Sequence, residues 1–211
     1  MSNSDILKDG IVQLGIELES EQQESLLTYL QLLNKWNKVY NLTAIRDPRQ
    51  MVSNHLLDSL SILPYLWPGR WLDVGCGAGL PGLVMAIARP DWQISLLDSN
   101  SKKTSFVQQA AIELGLKNVA VYCARVETWE ADSKFDGIVS RAFTDLGQFL
   151  SVTRHLIADQ GRWAAMKGAP EQELAGVAGD CQIERIIRLQ VPGLNAARSL
   201  VIATCKGAEE K

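Results

Sequence analysis

Leu72-Asp73-Val74-Gly75-Cys76-Gly77-Ala78-Gly79-Leu80-Pro81-Gly82 runs an apolar strand past an acid into a loop with four glycines, and a helix opens near Leu80. Each glycine removes a Cβ where the backbone must turn sharply or come within contact distance of a ligand. A helix starting there turns unsatisfied N–H groups toward the same place. A turn that only joined strand to helix would need one or two glycines, so the stretch reads as a small-molecule cofactor site in an open α/β sheet.

Gly77 to Gly82 satisfies G-x-G-x-x-G, which leaves a dinucleotide open as the ligand. Asp73 weighs against it. An acid beside the glycines would repel a pyrophosphate, whereas its carboxylate suits the ammonium and sulfonium end of S-adenosylmethionine. Asp73, Gly75 and Gly77 are therefore candidate cofactor residues, with S-adenosylmethionine first and a nicotinamide dinucleotide second.

The totals bound the rest. At 211 residues the chain holds one substantial domain with a small appendage. A net charge of -3 excludes a global basic field, so any RNA site must be a local patch. Cys76, Cys123, Cys181 and Cys205 form no C-x-x-C pair and have no histidine cluster nearby, so neither a metal site nor a disulfide framework is expected. The start lacks a basic n-region followed by an apolar run, and Leu83 to Ala88 is far shorter than the ~20 residues of a membrane span. A cytoplasmic, soluble protein follows, with no membrane association and a monomer as the default.

Upstream of the loop the pattern is helical. Ile6, Ile11, Leu14 and Leu18 form one stripe, and Ser20 with Gln23 reads as a capping box opening a second helix through Leu26, Leu30, Leu33 and Trp36. A third helix follows Asp47 as N-cap and Pro48 as first residue. Residues 1–66 thus form a helical cap on a core spanning 67–207. From Arg70 onward the expected strands are 70–74, 93–98, 118–123, 135–140, 161–167, 183–190 and 199–205, with helices between successive strands as far as the sixth, notably 102–114 and 144–157. Only a short loop with Pro192 and Gly193 separates the last two, which predicts an antiparallel final strand. This is a Rossmann-like α/β fold of the S-adenosylmethionine-dependent methyltransferase type: a seven-stranded, mostly parallel sheet.

Candidate chemistry gathers at strand ends, where open α/β sheets bind ligands. Asp98, ending the second strand, can hold both hydroxyls of a ribose; its other reading is a cap for the helix at Ser101. Val126 and Glu127 can face an adenine edge, although a glutamate there is ordinarily a solvated surface residue. Arg141, ending the fourth strand, can bind a phosphate, a guanine O6 or a carboxylate, or it can pair with a neighbouring acid. No Pro-Pro follows, although enzymes that methylate exocyclic amines carry one there. Guanine N7 has a free lone pair and no proton, so its methylation needs alignment rather than a general base. Lys35 to Thr43 interleaves cations with aromatics, as nucleic-acid sites do, yet Trp36 and Tyr40 also fit a core stripe. His55 reads as a buried histidine or a catalyst, and Lys167 and Arg198 as rim cations or ordinary surface ones.

Lys35 to Thr43, His55-Leu56-Leu57-Asp58-Ser59, Leu72 to Gly82, Leu96-Leu97-Asp98-Ser99, Arg125-Val126-Glu127, Phe135 to Phe143 and Met166-Lys167-Gly168 together resemble the bacterial 16S ribosomal RNA guanine-N7 methyltransferase family, RsmG or GidB. The resemblance covers nearly the whole chain. It implies methylation of a guanine of 16S rRNA within the small ribosomal subunit or its precursor. It also implies cofactor contacts at Gly75, Leu80, Val126, Glu127 and Arg141, and substrate or catalytic roles at Asn41, His55, Arg125, Lys167 and Arg198; Arg141 is a catalytic candidate as well, from its place at the end of the fourth strand. Cys76 stands where many relatives carry serine or threonine. A nicotinamide-dependent oxidoreductase and a non-catalytic RNA- or ribosome-binding module are the competing readings.

Overall fold

The computed structural model describes residues 1–205, so the last two residues of the expected core, 206–207, lie outside the described residues. Helix α1 (Asn3–Leu14) stops where Gly15 adopts a left-handed φ of 65°, which leaves Leu18 in the following loop rather than on the stripe. Helix α2 (Ser20–Tyr40) is capped one residue earlier than the sequence pattern predicts, because Gln22 Oε1 accepts the Glu19 N–H at 2.8 Å. A tertiary contact fixes that choice: Gln22 Nε2 donates to the carbonyls of Ile87 and Ala88, while Gln23 turns back to Leu18. Helix α3 (Pro48–Met51) begins as expected, with Asp47 accepting the Arg49 N–H. It then widens into a π-helical turn over Val52–Leu57 before closing as α4 (Asp58–Leu60). Such turns re-aim side chains and recur at functional sites.

Among the described residues the strands β1 (Arg70–Val74), β2 (Gln93–Asp98), β3 (Val119–Cys123), β4 (Phe135–Arg141), β5 (Ile157–Lys167), β6 (Cys181–Leu189) and β7 (Arg198–Cys205) form one sheet in the order β3-β2-β1-β4-β5-β7-β6. Pairs from β3 to β5 are parallel, and β7 lies antiparallel between β5 and β6. The crossovers β1–β2, β2–β3 and β4–β5 carry α5 (Gly82–Ala88), α6 (Ser101–Glu113) and α7 (Leu146–Thr153). Two expected helices are absent from it. Val126–Thr128 joins β3 to β4 as a single 3-10 turn, and β5 to β6 is crossed by 3-10 turns at Pro170–Gln172 and Leu174–Gly176, since neither stretch is long enough in apolar residues to propagate a helix. Helix 144–157 is shortened too: α7 ends at Thr153 and β5 begins at Ile157.

Strand alternation sorts the core into two layers. Trp71, Leu96, Val139, Met166 and Leu200 face a cluster with Leu7, Leu26, Leu33, Leu57 and Phe106, so the N-terminal helices, α5 and α6 cover one face. Leu72, Leu97, Trp163, Ala165 and Val201 pack with Leu146 and Phe149 of α7 on the other. The cysteine expectation needs correction: Cys181 and Cys205 are register partners across β6 and β7 and are joined by a disulfide. They are 24 residues apart, and only the antiparallel register brings them together.

Gly137 of β4 sits opposite Trp71 of β1, and a Cβ there would meet three atoms of that fully buried indole at 2.6 Å. Gly137→Ala should therefore lower the unfolding free energy by about 1–3 kcal/mol, read from urea denaturation, through overpacking of the β1–β4 pair.

Candidate active site

Between β1 and β4 the strand order reverses, and the crevice outside their carboxyl ends is where such sheets bind ligands. Two adjoining cavities occupy it. The larger, about 780 Å³, lies beneath Leu42, Thr43, His55 and Asp58 of the cap and is floored by Gly75 to Ala78 and Leu80. The smaller, about 280 Å³, is walled by Asp98, Ser99, Arg125, Val126 and Glu127. Gly75, Lys103, Ala142 and Phe143 line both, so the cavities meet there.

The loop between β1 and α5 works as the glycines predict. Gly75, Gly77 and Gly79 have φ of 67°, 57° and 87°, a region closed to most side chains. A Cβ on Gly75 would collide with the Phe143 ring, and one on Gly82 would lie 2.8 Å from Asp73 Oδ2. Two strand-end acids hold this loop. Asp98 Oδ2 accepts the Gly77 N–H at 3.0 Å and its Oδ1 accepts the Asn100 N–H at 2.8 Å, while the cap of α6 falls to Asn100 rather than Asp98. Asp73 Oδ2 accepts the Gly82 N–H at 2.8 Å.

Asp73 departs from its expected place on the cavity wall. Alternation puts it on the Trp71 face of β1, under α5, where it is wholly buried, and its Oδ1 has no hydrogen-bond partner among the described residues. Burial raises its pKa to about 7, against smaller opposing effects of the Gly82 N–H and Arg141. Asn41 is also off the wall. It caps α2 in the left-handed region on an exposed turn and accepts a hydrogen bond from Arg46, while the cavity is lined by the next two residues, Leu42 and Thr43. Arg125, Val126 and Glu127 all line the smaller cavity, with Val126 buried and the two charged residues exposed.

The remaining expected residues converge on the larger cavity. Arg141 of β4, Lys167 of β5 and Arg198 of β7 stand at one edge of three neighbouring strands, because antiparallel β7 starts where its neighbours end. Each is paired. Asp58 accepts Arg141 Nη1 on Oδ2 at 3.0 Å and Arg198 Nε on Oδ1 at 3.1 Å. Arg141 Nη1 also donates to the Asn54 carbonyl in the π-helical turn at 2.9 Å. Lys167 Nζ lies 2.7 Å from Glu173 Oε2 and donates to the Thr144 carbonyl; the same Glu173 oxygen accepts the Leu146 N–H at the start of α7. His55 is buried with Nε2 3.0 Å from Thr43 Oγ1, and desolvation first, then Arg141, lowers its pKa to about 4. Trp36 packs on Phe106 and Tyr40, so the expected core stripe holds for the first ring, while Tyr40 is exposed.

Sequence reading alone passed over Asp58, Lys103, Phe143 and Glu173 as wall residues. Asp58 and Phe143 lay within quoted motifs without a signal of their own, and Glu173 sits in a loop whose path no periodicity predicts.

A family model described as rRNA small subunit methyltransferase G, GidB, matches residues 22–201. The chain belongs to this family. Ribosomal RNA small subunit methyltransferase G of Laribacter hongkongensis is 50% identical over 95% of this chain and 98% of its own length. Those of Methylobacillus flagellatus and Pseudomonas aeruginosa strain UCBPP-PA14 are 53% and 51% identical, each over more than 90% of both chains. The glycopeptide N-methyltransferase MtfA, complexed with S-adenosyl-L-methionine, aligns with a TM-score of 0.61 at 10% identity over 72% of this chain and 94% of that one. The N-methyltransferase NodS of Bradyrhizobium japonicum, in complex with S-adenosyl-l-homocysteine, aligns at 0.55 and 14% identity over 83% and 100%. Such distant likenesses establish the Rossmann-like methyltransferase fold. Neither the oxidoreductase nor the non-catalytic reading finds support in these matches, and the family makes the chain an rRNA methyltransferase. Among the described residues no helix is long and apolar enough to cross a membrane.

The two buried titrating groups oppose each other in pH dependence. The fold keeps Asp73 protonated up to about pH 7 although its ordinary pKa is 3.8, so stability contributed there falls as pH rises through that interval. The fold keeps His55 neutral down to about pH 4 against an ordinary 6.5, so stability rises with pH across that interval. Asp73→Asn should leave a net rise in denaturation midpoint between pH 4.5 and 6.5 relative to the parent, and His55→Gln a net fall; matching slopes in all three proteins would refute both assignments.

Proposed function

We propose that this family member methylates N7 of a guanine in 16S rRNA, within the small ribosomal subunit or its precursor, using S-adenosylmethionine, with residues 1–66 acting as a helical cap on the methyltransferase core. The observation that carries the reading is the pair of joined cavities at the β1/β4 switch point, one offering the Asp98 and Glu127 carboxylates and the other the paired cations Arg141, Lys167 and Arg198.

The residues fit the cofactor. Asp98 has spent one lone-pair site of each oxygen on the backbone, which leaves acceptor capacity for two ribose hydroxyls. Glu127 offers an acceptor to an exocyclic amine, and Val126 an apolar wall. Gly75, Gly77 and Leu80 form the floor where the methionyl end would lie, and Arg141 stands beside it. Asp73 acts from below, fixing the loop through Gly82. When bound, S-adenosylmethionine supplies an electrophilic methyl group on a sulfonium.

The chain supplies position. The Phe143 ring packs against Gly75 where the cavities meet and gives the junction an apolar wall. Ala142 before it holds a left-handed φ of 53°, strain that sets the direction of the Phe143 side chain. Guanine N7 has no proton to lose, so no general base is required. His55 accordingly serves as a neutral hydrogen-bonding group, since burial keeps it from taking up a second ring proton at physiological pH. Lys167, Arg198 and, at the rim of the smaller cavity, Arg125 are placed to meet phosphates, with Asn41 and Arg46 on the exposed turn beyond.

Small subunits or their precursors from cells lacking this gene should accept labelled methyl from purified protein, with chemical cleavage of their rRNA at a single 7-methylguanosine; label at another atom or none would refute the reading. Asp98→Ala should weaken S-adenosylmethionine binding by about tenfold or more in calorimetry. Lys167→Ala or Arg125→Ala should reduce rRNA methylation and leave cofactor affinity nearly unchanged.

A further inference from the structure

We infer that Asp58 is a positioning residue for substrate binding: from the cap, it orients Arg141 and Arg198 as one rigid double-guanidinium clamp on the wall of the larger cavity. The inference rests on the rRNA-methyltransferase reading above and assigns a role to a residue that neither the sequence motifs nor the family description singles out.

Asp58 is 1% exposed and lies between two guanidinium groups from β4 and β7, strands separated by β5. Both of its oxygens are engaged, one by each arginine, so the acid fixes the spacing of the two groups as well as their charge. The arginines are further pinned, Arg141 Nη1 by the Asn54 carbonyl and Arg198 Nη1 by the Ala197 carbonyl. Among the described residues Arg141 donates only through Nη1, which leaves its Nε–Nη2 edge free, while Arg198, held through Nε and Nη1, keeps Nη2 as its free donor. A planar fork held on one edge is preorganised for an anion or a carbonyl on the other, which a lysine cannot imitate.

The backbone that carries Asp58 agrees with this role. The π-helical turn Val52–Leu57 ends immediately before it and presents the Asn54 carbonyl to the same arginine. A buried carboxylate costs several kcal/mol of desolvation, and two guanidinium partners offset that cost, so such an acid is a weak source of stability. Glu173 differs in kind. It pairs with Lys167 from a loop, through one oxygen and with a side chain 28% exposed, and so lacks the enclosure that makes Asp58 a fixed element.

The test measures steady-state methylation of small subunits, cofactor affinity by calorimetry, and thermal melts, on full-length protein. Asp58→Asn should lower kcat/KM for the subunit by about tenfold or more at a temperature where the melt shows the variant folded, chiefly through KM. Arg198→Met should lose a similar factor, and the double variant should be no worse than the poorer single one, because both act through one clamp. Arg198→Lys keeps the charge of a partly exposed side chain and remains informative even if Asp58→Asn does not fold; it should lose as much as Arg198→Met. Additive losses, an Asp58→Asn enzyme equal to the parent, or an Arg198→Lys enzyme equal to the parent would each overturn the inference. A parent protein that fails to methylate subunits would instead overturn the functional reading.

Discussion

The hydrogen bond from the Gly82 N–H to buried Asp73 is the constraint on which the site depends. It ties the first turn of α5 to the fourth residue of β1, so the chain between them has only a short, tightly curved path. That path needs left-handed backbone at Gly75, Gly77 and Gly79 and leaves no room for a Cβ at Gly82. The Asp98 bond to Gly77 pins the same loop to β2 from the other side. Two acids on adjacent parallel strands thus accept the Gly77 and Gly82 N–H groups, while Gly79 and Leu80 donate to the Cys76 carbonyl within the loop, and the crevice wall is held on both sides.

The helical cap belongs to this wall. Tyr29 of α2 donates its hydroxyl to the Ala78 carbonyl at 2.8 Å, and Gln22 reaches the last carbonyls of α5. Leu26 and Leu33 share a cluster with Leu83 and Phe106, so α2 completes the core beneath the floor of the larger cavity, while the loop after α2 and the π-helical turn form its roof. A change in the cap is therefore felt in the loop.

Much of the fold was legible because strands between buried faces are short apolar runs ended by acids or glycines, and Leu72, Leu96 and Ile138 sit in such runs. Local capping was less legible. Gln22 outcompetes Gln23 only because α5 passes close enough to accept its amide, a fact of tertiary packing. The stretches after Val126 and Pro170 form single turns because a few helix-compatible residues cannot nucleate without an apolar face to bury. Of the site, the residues at strand ends were legible because topology brings those ends together. Asp58 was not, since its meaning depends on Arg141 and Arg198, 83 and 140 positions away. Asp73 was legible as important but not in direction, which the alternation of β1 decides.

A protein of net charge -3 that acts on RNA must make its cations count locally. Around the larger cavity four cations, Lys103, Arg141, Lys167 and Arg198, face three acids, Asp58, Asp145 and Glu173, so the field there is only mildly positive. Bulk attraction to a phosphate backbone scales with the number of phosphates neutralised, and a site like this neutralises few. On the proposed reading, recognition falls instead to fixed donor edges and to the shape of a folded particle. Pairing these cations with acids, Asp58 for both arginines and Glu173 for Lys167, serves that end: it gives up long-range attraction and gains orientation, which an exposed, flexible lysine row would not provide. On the same reading, the pairing holds positive charge at the cavity edge, away from the place where a sulfonium methyl would meet its nucleophile.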